Sequence, residues 1–223
     1  MATSRAAKRA QIVRLLESGD IAAAAALTDQ TGGVVTILLQ LLFDPDSQLH
    51  WRAIEAVGQI AVSHPKAIEK IIPRLLWSLN EDSASFGWGA AALLGEIGRR
   101  NYRLVADIIE MLFQFLDDEF AREGMLWGLG RLAQVHPEIV QEAAPRIAAC
   151  LSAANPQVRA YAAWCLGLLR GQEAAEALAA LTADPAPVNL YDQGVLQKTT
   201  VGQIAQQALR SLKNENRNKQ KLG

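Results

Sequence analysis

A glycine that returns about every 36 residues constrains the fold of this chain more than any other feature of its sequence. Successive members of the series are 37, 35 and 37 residues apart, and the series consists of Gly58, Gly95, Gly130 and Gly167. A second register agrees, because the His-Pro pairs that begin at His64 and His136 lie 72 residues apart, which is two periods. Periods of this length are typical of solenoids, in which each repeat buries its apolar face against its neighbours.

Each period contains two amphipathic segments separated by a polar turn. The segments around the glycines place small or apolar residues at helical spacing, and so do the runs between them, at 67–79, 103–116 and 138–151. The sequence therefore predicts helix, turn, helix in every period. Pro73 and Pro145 lie inside the first helix of their repeats, where a proline is expected to kink the helix.

The N-terminal part of the array differs from the regular repeats, as the terminal repeat of a solenoid does. Residues 1–32 predict a helical pair that caps this end, with Gly19 as the break between its two helices. Residues 33–170 contain the four regular repeats. No internal linker interrupts the pattern, so the sequence predicts one solenoid domain over residues 1–212.

Residues 171–212 predict a C-terminal capping repeat that carries an insertion at 188–200. Two β-prone runs flank an Asp-Gln-Gly sequence in this insertion, which favours a β-hairpin with its glycine in the left-handed region. The hairpin is expected to cover the last helical pair with its apolar side chains, which are Leu190, Tyr191, Val195 and Leu196. Residues 213–223 have almost no apolar content and predict a flexible tail.

The best-preserved repeat carries the resemblance to a known family. Residues 155–169 read Asn-Pro-Gln-Val-Arg-Ala-Tyr-Ala-Ala-Trp-Cys-Leu-Gly-Leu-Leu, and residues 120–130 keep the arginine and the glycine. This pattern resembles the HEAT-like repeats, in particular the short variety named after phycobilisome lyases, although two earlier copies carry His50 and Gly87 where the arginine belongs. The resemblance implies an all-α fold, a right-handed α-α superhelix of about six helical pairs. It does not imply an activity, because one fold hosts many functions.

Charge and hydropathy exclude several classes of protein. The chain has 22 basic and 23 acidic side chains, and this balance argues against nucleic acid as a partner, which normally requires a basic surface. The longest apolar runs fall well short of the roughly 20 residues that a membrane span requires. The N-terminus lacks the apolar core of a signal peptide, which predicts a cytoplasmic protein without membrane contact.

Residues that could bind a metal or carry catalysis are few. The three histidines are His50, His64 and His136, and none has a second ligand three or four residues away. Cys150 and Cys165 take positions of small core residues and do not form a disulfide framework. We therefore predict no metal, no cofactor and no catalytic residue.

Aromatic residues on the second helices give the strongest functional signal. Trp51 and Trp88 lie seven residues before a repeat glycine, whereas Trp127 and Trp164 lie three before one. These offsets differ by four, so all four side chains share one helix face. The resemblance implies that this face lines the concave groove, while packing between neighbouring repeats is the alternative. The candidate partner-binding residues are Trp51, Trp88, Trp127, Tyr161 and Trp164, with Glu55, Glu123 and Arg131 at the margins.

The aromatic groove favours a non-enzymatic scaffold that binds another protein or a peptide segment. A DNA-alkylation-repeat-like glycosylase is one alternative, since such enzymes share the HEAT-like fold and use aromatic side chains with an acidic residue. The net charge of −1 argues against it. A chaperone for chromophore or cofactor attachment, of the bilin-lyase type, is a second alternative. The oligomeric state stays open.

Overall fold

The computed structural model describes residues 4–80 and 87–222, with the side chains of residues 4–80 and 89–213. Contacts group the chain into two compact units. The first consists of Met1–Ile109 together with Tyr191–Leu196, and the second consists of Glu110–Leu190 together with Gln197–Gly223. The single domain over residues 1–212 stays a prediction, and each unit is described here by itself.

The first unit is built from successive helical pairs. Its helices are α1 (Arg5–Glu17), α2 (Ile21–Gln30), α3 (Val34–Leu39), α4 (Gln48–Ser63), α5 (Pro65–Glu69), α6 (Ile72–Leu79) and α7 (Gly87–Arg100). The side chain of Ser4 caps α1, that of Asp20 caps α2, and Gly19 between them has a φ of 82°. Helix α4 packs against α2 and α7, so each second helix contacts the corresponding helix of the next pair.

The remaining helices continue the same alternation. They are α8 (Ile109–Gln114), α9 (Arg122–Ala133), α10 (Pro137–Val140), α11 (Ala144–Ala149), α12 (Pro156–Leu169), α13 (Ala175–Leu181) and α14 (Val201–Leu222). Helix α12 packs against both α9 and α14. The predicted all-α architecture with a small hairpin near the C-terminus is thus confirmed. Among residues 4–80 and 87–222, no helix combines the length and the apolar character that crossing a membrane requires.

Prolines break the first helix of two repeats, as predicted. Helix α5 ends at Glu69 and α6 begins at Ile72, immediately before Pro73. A 3₁₀ turn at Gln141–Ala143 similarly separates α10 from α11, which carries Pro145 in its first turn. A proline inside a helix cannot donate its hydrogen bond and its ring collides with the carbonyl of the preceding turn, so the helix restarts at the proline.

The repeat glycines let neighbouring second helices approach closely. A Cβ atom at Gly130 in α9 would collide with the indole ring of Trp164 in α12. At Gly167 in α12, a Cβ atom would lie 2.8 Å from the Cα and Cβ atoms of Ala208 in α14. The period in the sequence is therefore the period of close helix packing, which outweighs the low helix propensity of glycine.

The insertion forms the predicted hairpin, with strands β1 (Pro187–Asp192) and β2 (Val195–Thr200). Gln193 and Gly194 connect the strands with φ angles of 49° and 82°, the backbone that a tight two-residue turn requires. The predicted placement on the last helical pair is wrong for the tip, because Tyr191–Leu196 belongs to the first unit. A buried tyrosine needs an acceptor for its hydroxyl, and α4 supplies one.

The last helix is longer than predicted. Helix α14 continues to Leu222, whereas the sequence analysis ended it at residue 212. Residues 213–222 contain neither proline nor glycine, and six of the ten are lysine, arginine, glutamate or glutamine, which are better helix formers than the three asparagines among them. The low apolar content of residues 213–222 therefore does not end the helix. The flexibility of residues 213–223 stays a prediction.

Candidate functional site

Most of the predicted groove aromatics are buried. Trp51 and Tyr161 are 1% exposed and Trp127 is 0% exposed, so these three side chains lie in the core. This corrects the expectation of an exposed aromatic groove at these positions. The side chain of Trp88 lies outside the described residues, while Trp164 is half-buried against Gly130. The participation of these residues in partner binding stays a prediction.

In the first unit, the side chains of α4 hold the hairpin tip. The ring of Tyr191 stacks on Trp51 with centroids 5.6 Å apart and planes inclined by 11°. The Tyr191 hydroxyl donates a hydrogen bond to Oε2 of Glu55 at 2.7 Å, and the Trp51 indole N–H donates to the Pro45 carbonyl at 2.8 Å. Positions 51 and 55 are one helical turn apart and share a face, so one tyrosine contacts both.

Arg52 holds the main chain of the same tip. Its Nε donates to the Gly194 carbonyl at 3.3 Å, and its Nη1 donates to the carbonyls of Leu16 and Glu17 at 2.7 and 2.9 Å. The two latter carbonyls belong to the last turn of α1, where an arginine satisfies groups that the helix leaves without partners. We call Trp51, Arg52 and Glu55 together the α4 socket.

His50 supports the socket from within the core. The residue is 0% exposed, and its ring meets Trp51 edge to face at a centroid distance of 4.9 Å. Burial lowers the pKa of His50 to about 4, although hydrogen bonding to the Leu42 main chain and the charge of Asp44 oppose this shift. The imidazole is therefore neutral at pH 7 and packs as a core ring.

In the second unit, the predicted polar residues make internal contacts. The guanidinium of Arg131 lies 5.3 Å from the ring centroid of Trp127, a cation–π distance, and the arginine is only 3% exposed. Glu123 is half-buried and accepts a hydrogen bond from the Asn155 amide at 3.2 Å. Both charges thus serve the packing of this unit, and Glu123 alone keeps partial access to solvent.

Among the predicted groove aromatics whose side chains the structure describes, Trp164 is the one that is partly accessible to solvent. Its ring lines a cavity of about 160 Å³ between α12 and α14, together with apolar and small residues and one glutamine. The lining residues are Trp164, Gly167, Leu168, Ile204, Gln207, Ala208 and Ser211. The surroundings are suited to an apolar group rather than to acid–base chemistry.

The thiols lie in the core, as predicted. Cys165 is 0% exposed and burial raises its pKa far above the usual range, while burial also raises the pKa of Cys150. Both are therefore protonated at neutral pH. Within the described residues, no group of three or more His, Cys, Asp or Glu side chains is placed to hold a metal ion.

Sequence reasoning missed Arg52 and assigned Tyr191 to the wrong surface. No pattern distinguishes Arg52 from other helix arginines, because its contacts are with α1 and the hairpin turn. Tyr191 carried a usable signal, since a tyrosine in a polar insertion requires an apolar stack and a hydrogen-bond acceptor when it is buried.

Comparisons with known proteins agree with this architecture. A HEAT-like repeat model matches residues 119–169. An uncharacterized protein of Archaeoglobus fulgidus is 27% identical over 173 residues, which cover 75% of this chain and 91% of the relative.

Solved repeat proteins share the fold at low identity. A designed armadillo repeat protein is 19% identical, with a TM-score of 0.52 and coverage of 95% of both chains. A second one, solved in complex with the peptide (KR)4, is 20% identical, with a TM-score of 0.50 and coverage of 92% of this chain and 86% of its own. The resemblance to the phycobilisome-lyase variety stays a prediction. The paired helices, the HEAT-like match at residues 119–169 and these structures together show that the chain has an armadillo/HEAT-type α-solenoid fold.

Proposed function

We propose that this chain is a non-enzymatic scaffold that binds an extended segment of another protein. The observation that carries the proposal is the α4 socket, which already holds the hairpin tip of the chain itself through one aromatic side chain and one main-chain carbonyl. A surface that binds a segment in this way has the two elements of peptide recognition, a side-chain pocket and a donor for the main chain.

The fold supports the same proposal. Armadillo/HEAT-type repeats present rows of second helices, and extended surfaces of this kind suit long, flexible partners. The designed armadillo repeat protein of similar fold was solved with the peptide (KR)4. For this chain a strongly basic peptide is not the expected partner, because the socket contributes both Glu55 and Arg52 around an aromatic ring.

Trp164 is the proposed anchor in the second unit. It is half-buried and borders an apolar cavity, and aromatic residues in such settings contribute most of the affinity at many interfaces. Trp127 and Tyr161 are proposed to support this surface from below, because both are buried.

The experiment is selection of binding peptides from a displayed random library on the full-length chain. Enriched peptides are expected to bind in solution with dissociation constants in the micromolar range or tighter. Arg52→Ala is expected to weaken the peptides that use the socket. Arg14→Ala serves as the matched control, because this arginine is exposed in the last turn of α1.

Failure to enrich any binding peptide would contradict the proposal. Retardation of DNA by the chain, combined with such a failure, would favour the glycosylase alternative instead. Circular dichroism of each variant is the control for retention of the helical fold.

A further inference from the structure

We propose that the α4 socket selects a partner segment with an unphosphorylated tyrosine, and that the hairpin tip is a built-in competitor for this site. This inference rests on the proposed function, since it names the partner chemistry and the regulation of the same surface. Its starting point is that Tyr191 occupies the socket as a peptide side chain would, although it lies 136 residues beyond Glu55 in sequence.

The socket is selective for tyrosine because each end of the phenol ring has its own contact. Trp51 stacks on the ring face, and Oε2 of Glu55 accepts from the hydroxyl at 2.7 Å. A phenylalanine would fill the ring position without supplying the hydroxyl donor, and sites built around a hydroxyl discriminate strongly against such analogues. A phosphotyrosine would bring negative charge against the Glu55 side chain into a position where Tyr191 is 0% exposed.

Main-chain recognition adds affinity without restricting the rest of the partner sequence. Arg52 donates to the carbonyl of Gly194, three residues after the tyrosine. In the tip this carbonyl belongs to the second residue of the turn, so a partner segment reaches Arg52 by bending after its tyrosine, and the contact uses no side chain of the segment. The arginine is held in place by the α1 carbonyls of Leu16 and Glu17, and it therefore stays available when the tip leaves.

Most side chains of the tip are exposed or only partly buried. Within Tyr191–Leu196, Tyr191 is the one fully buried side chain, whereas Gln193 is exposed and Val195 is 46% exposed. Gln193 also adopts a φ of 49°, which is unfavourable for a residue that carries a Cβ atom. A partner segment with a glycine or asparagine at this position would gain the tyrosine and carbonyl contacts without this cost.

The covalent tether gives the tip its advantage over a free segment. A tethered ligand acts at an effective concentration of roughly millimolar order, and the affinity observed for a partner falls in proportion to the fraction of sites that the tip occupies. Removal of the Tyr191 side chain vacates the socket without shortening the chain. We expect such a variant to bind tyrosine peptides at least about tenfold more tightly than the wild type.

The test compares three full-length chains, the wild type, Tyr191→Ala and Val195→Ala. Val195 is a matched control because it lies on the same tip and is 46% exposed. The fluorescent probes are a peptide copy of residues 187–200, a copy with shuffled residues around the tyrosine, and copies with phenylalanine or phosphotyrosine in its place. Anisotropy titrations are expected to give the tenfold gain for Tyr191→Ala with both tyrosine peptides, and a loss of at least about tenfold on that variant with the other two.

A measurement on the wild type makes the test independent of how well Tyr191→Ala folds. Saturation with the shuffled tyrosine peptide is expected to accelerate amide hydrogen exchange in residues 188–196, because the tip leaves the socket. Unchanged exchange, equal affinity for the wild type and Tyr191→Ala, or binding of the unshuffled copy alone would each overturn the inference. The proposed function fails separately, if no library peptide binds to either the wild type or Tyr191→Ala.

Discussion

The substitution Gly130→Ala tests whether the Trp164 ring packs over the repeat glycine of the neighbouring second helix. Alanine is favoured over glycine inside a helix by about 1 kcal/mol, so propensity alone predicts a more stable protein. The structure predicts the opposite, since a Cβ atom at position 130 would lie 2.5 Å from Cε3 of the Trp164 ring. Overpacking of this kind costs about 1–3 kcal/mol, which leaves a net loss of about 1–2 kcal/mol at the upper part of that range.

The assay is equilibrium unfolding in guanidinium chloride, followed by both circular dichroism and tryptophan fluorescence. For a chain of this length the loss corresponds to a decrease in melting temperature of about 2–8 °C. The key comparison is the same substitution in a Trp164→Ala background, where the obstructing ring is absent. There Gly130→Ala is expected to increase stability by about 1 kcal/mol, so the sign of the effect reverses.

Gly32→Ala is the matched control, because a Cβ atom at that glycine would meet nothing within 4 Å. It is expected to leave stability unchanged or slightly increased. If Gly130→Ala stabilises the wild type, the Trp164 ring does not cover the glycine in solution. The close-packing explanation of the repeat would then be refuted at this position.

Three further predictions concern buried or part-buried side chains. The unfolding free energy should decrease by about 3 kcal/mol as the pH falls from 6.5 to about 4, because the unfolded chain protonates His50 in this range and the folded chain does not. The difference in unfolding free energy between the wild type and His50→Gln, measured across a pH series, isolates this contribution. A thiol reagent should modify neither Cys150 nor Cys165 in the native protein at pH 8, and both in guanidinium chloride, as thiol counting would show. Arg159→Lys should destabilise the second unit by about 1–3 kcal/mol in chemical unfolding, since the guanidinium bonds Asp184 through both Nε and Nη2, and full stability in that variant would contradict the assigned geometry.

The repeat could be predicted from the sequence because its physical cause is local. Gly130 and Gly167 mark close contacts between second helices of neighbouring pairs, and Pro73 and Pro145 act on the turn that precedes them. Each of these effects depends on residues within about one period. The spacing of glycines and prolines in a single sequence is therefore sufficient to predict the repeat.

The candidate site could be predicted only in part, because spacing determines which side chains share a helix face but not what covers that face. Trp51 was placed on the correct helix, yet its exposure depends on Tyr191, which lies 140 positions later. Trp127 is covered from within its own helix by Arg131, at a spacing that also fits a solvated pair. Tertiary packing determines which side chains come into contact over such distances in sequence.

The contact between Tyr191 and Glu55 has a consequence for the order in which the protein is made. In most of the array a new helix contacts helices that the ribosome has just released, whereas these two residues are separated by 136 positions. At a synthesis rate of about 5–20 residues per second, α4 waits for roughly 7–27 s before the tip can reach it. During that interval the nascent chain exposes the face of Trp51 that Tyr191 later covers. The N-terminal helices are therefore the part of the nascent chain to which we expect a chaperone to bind.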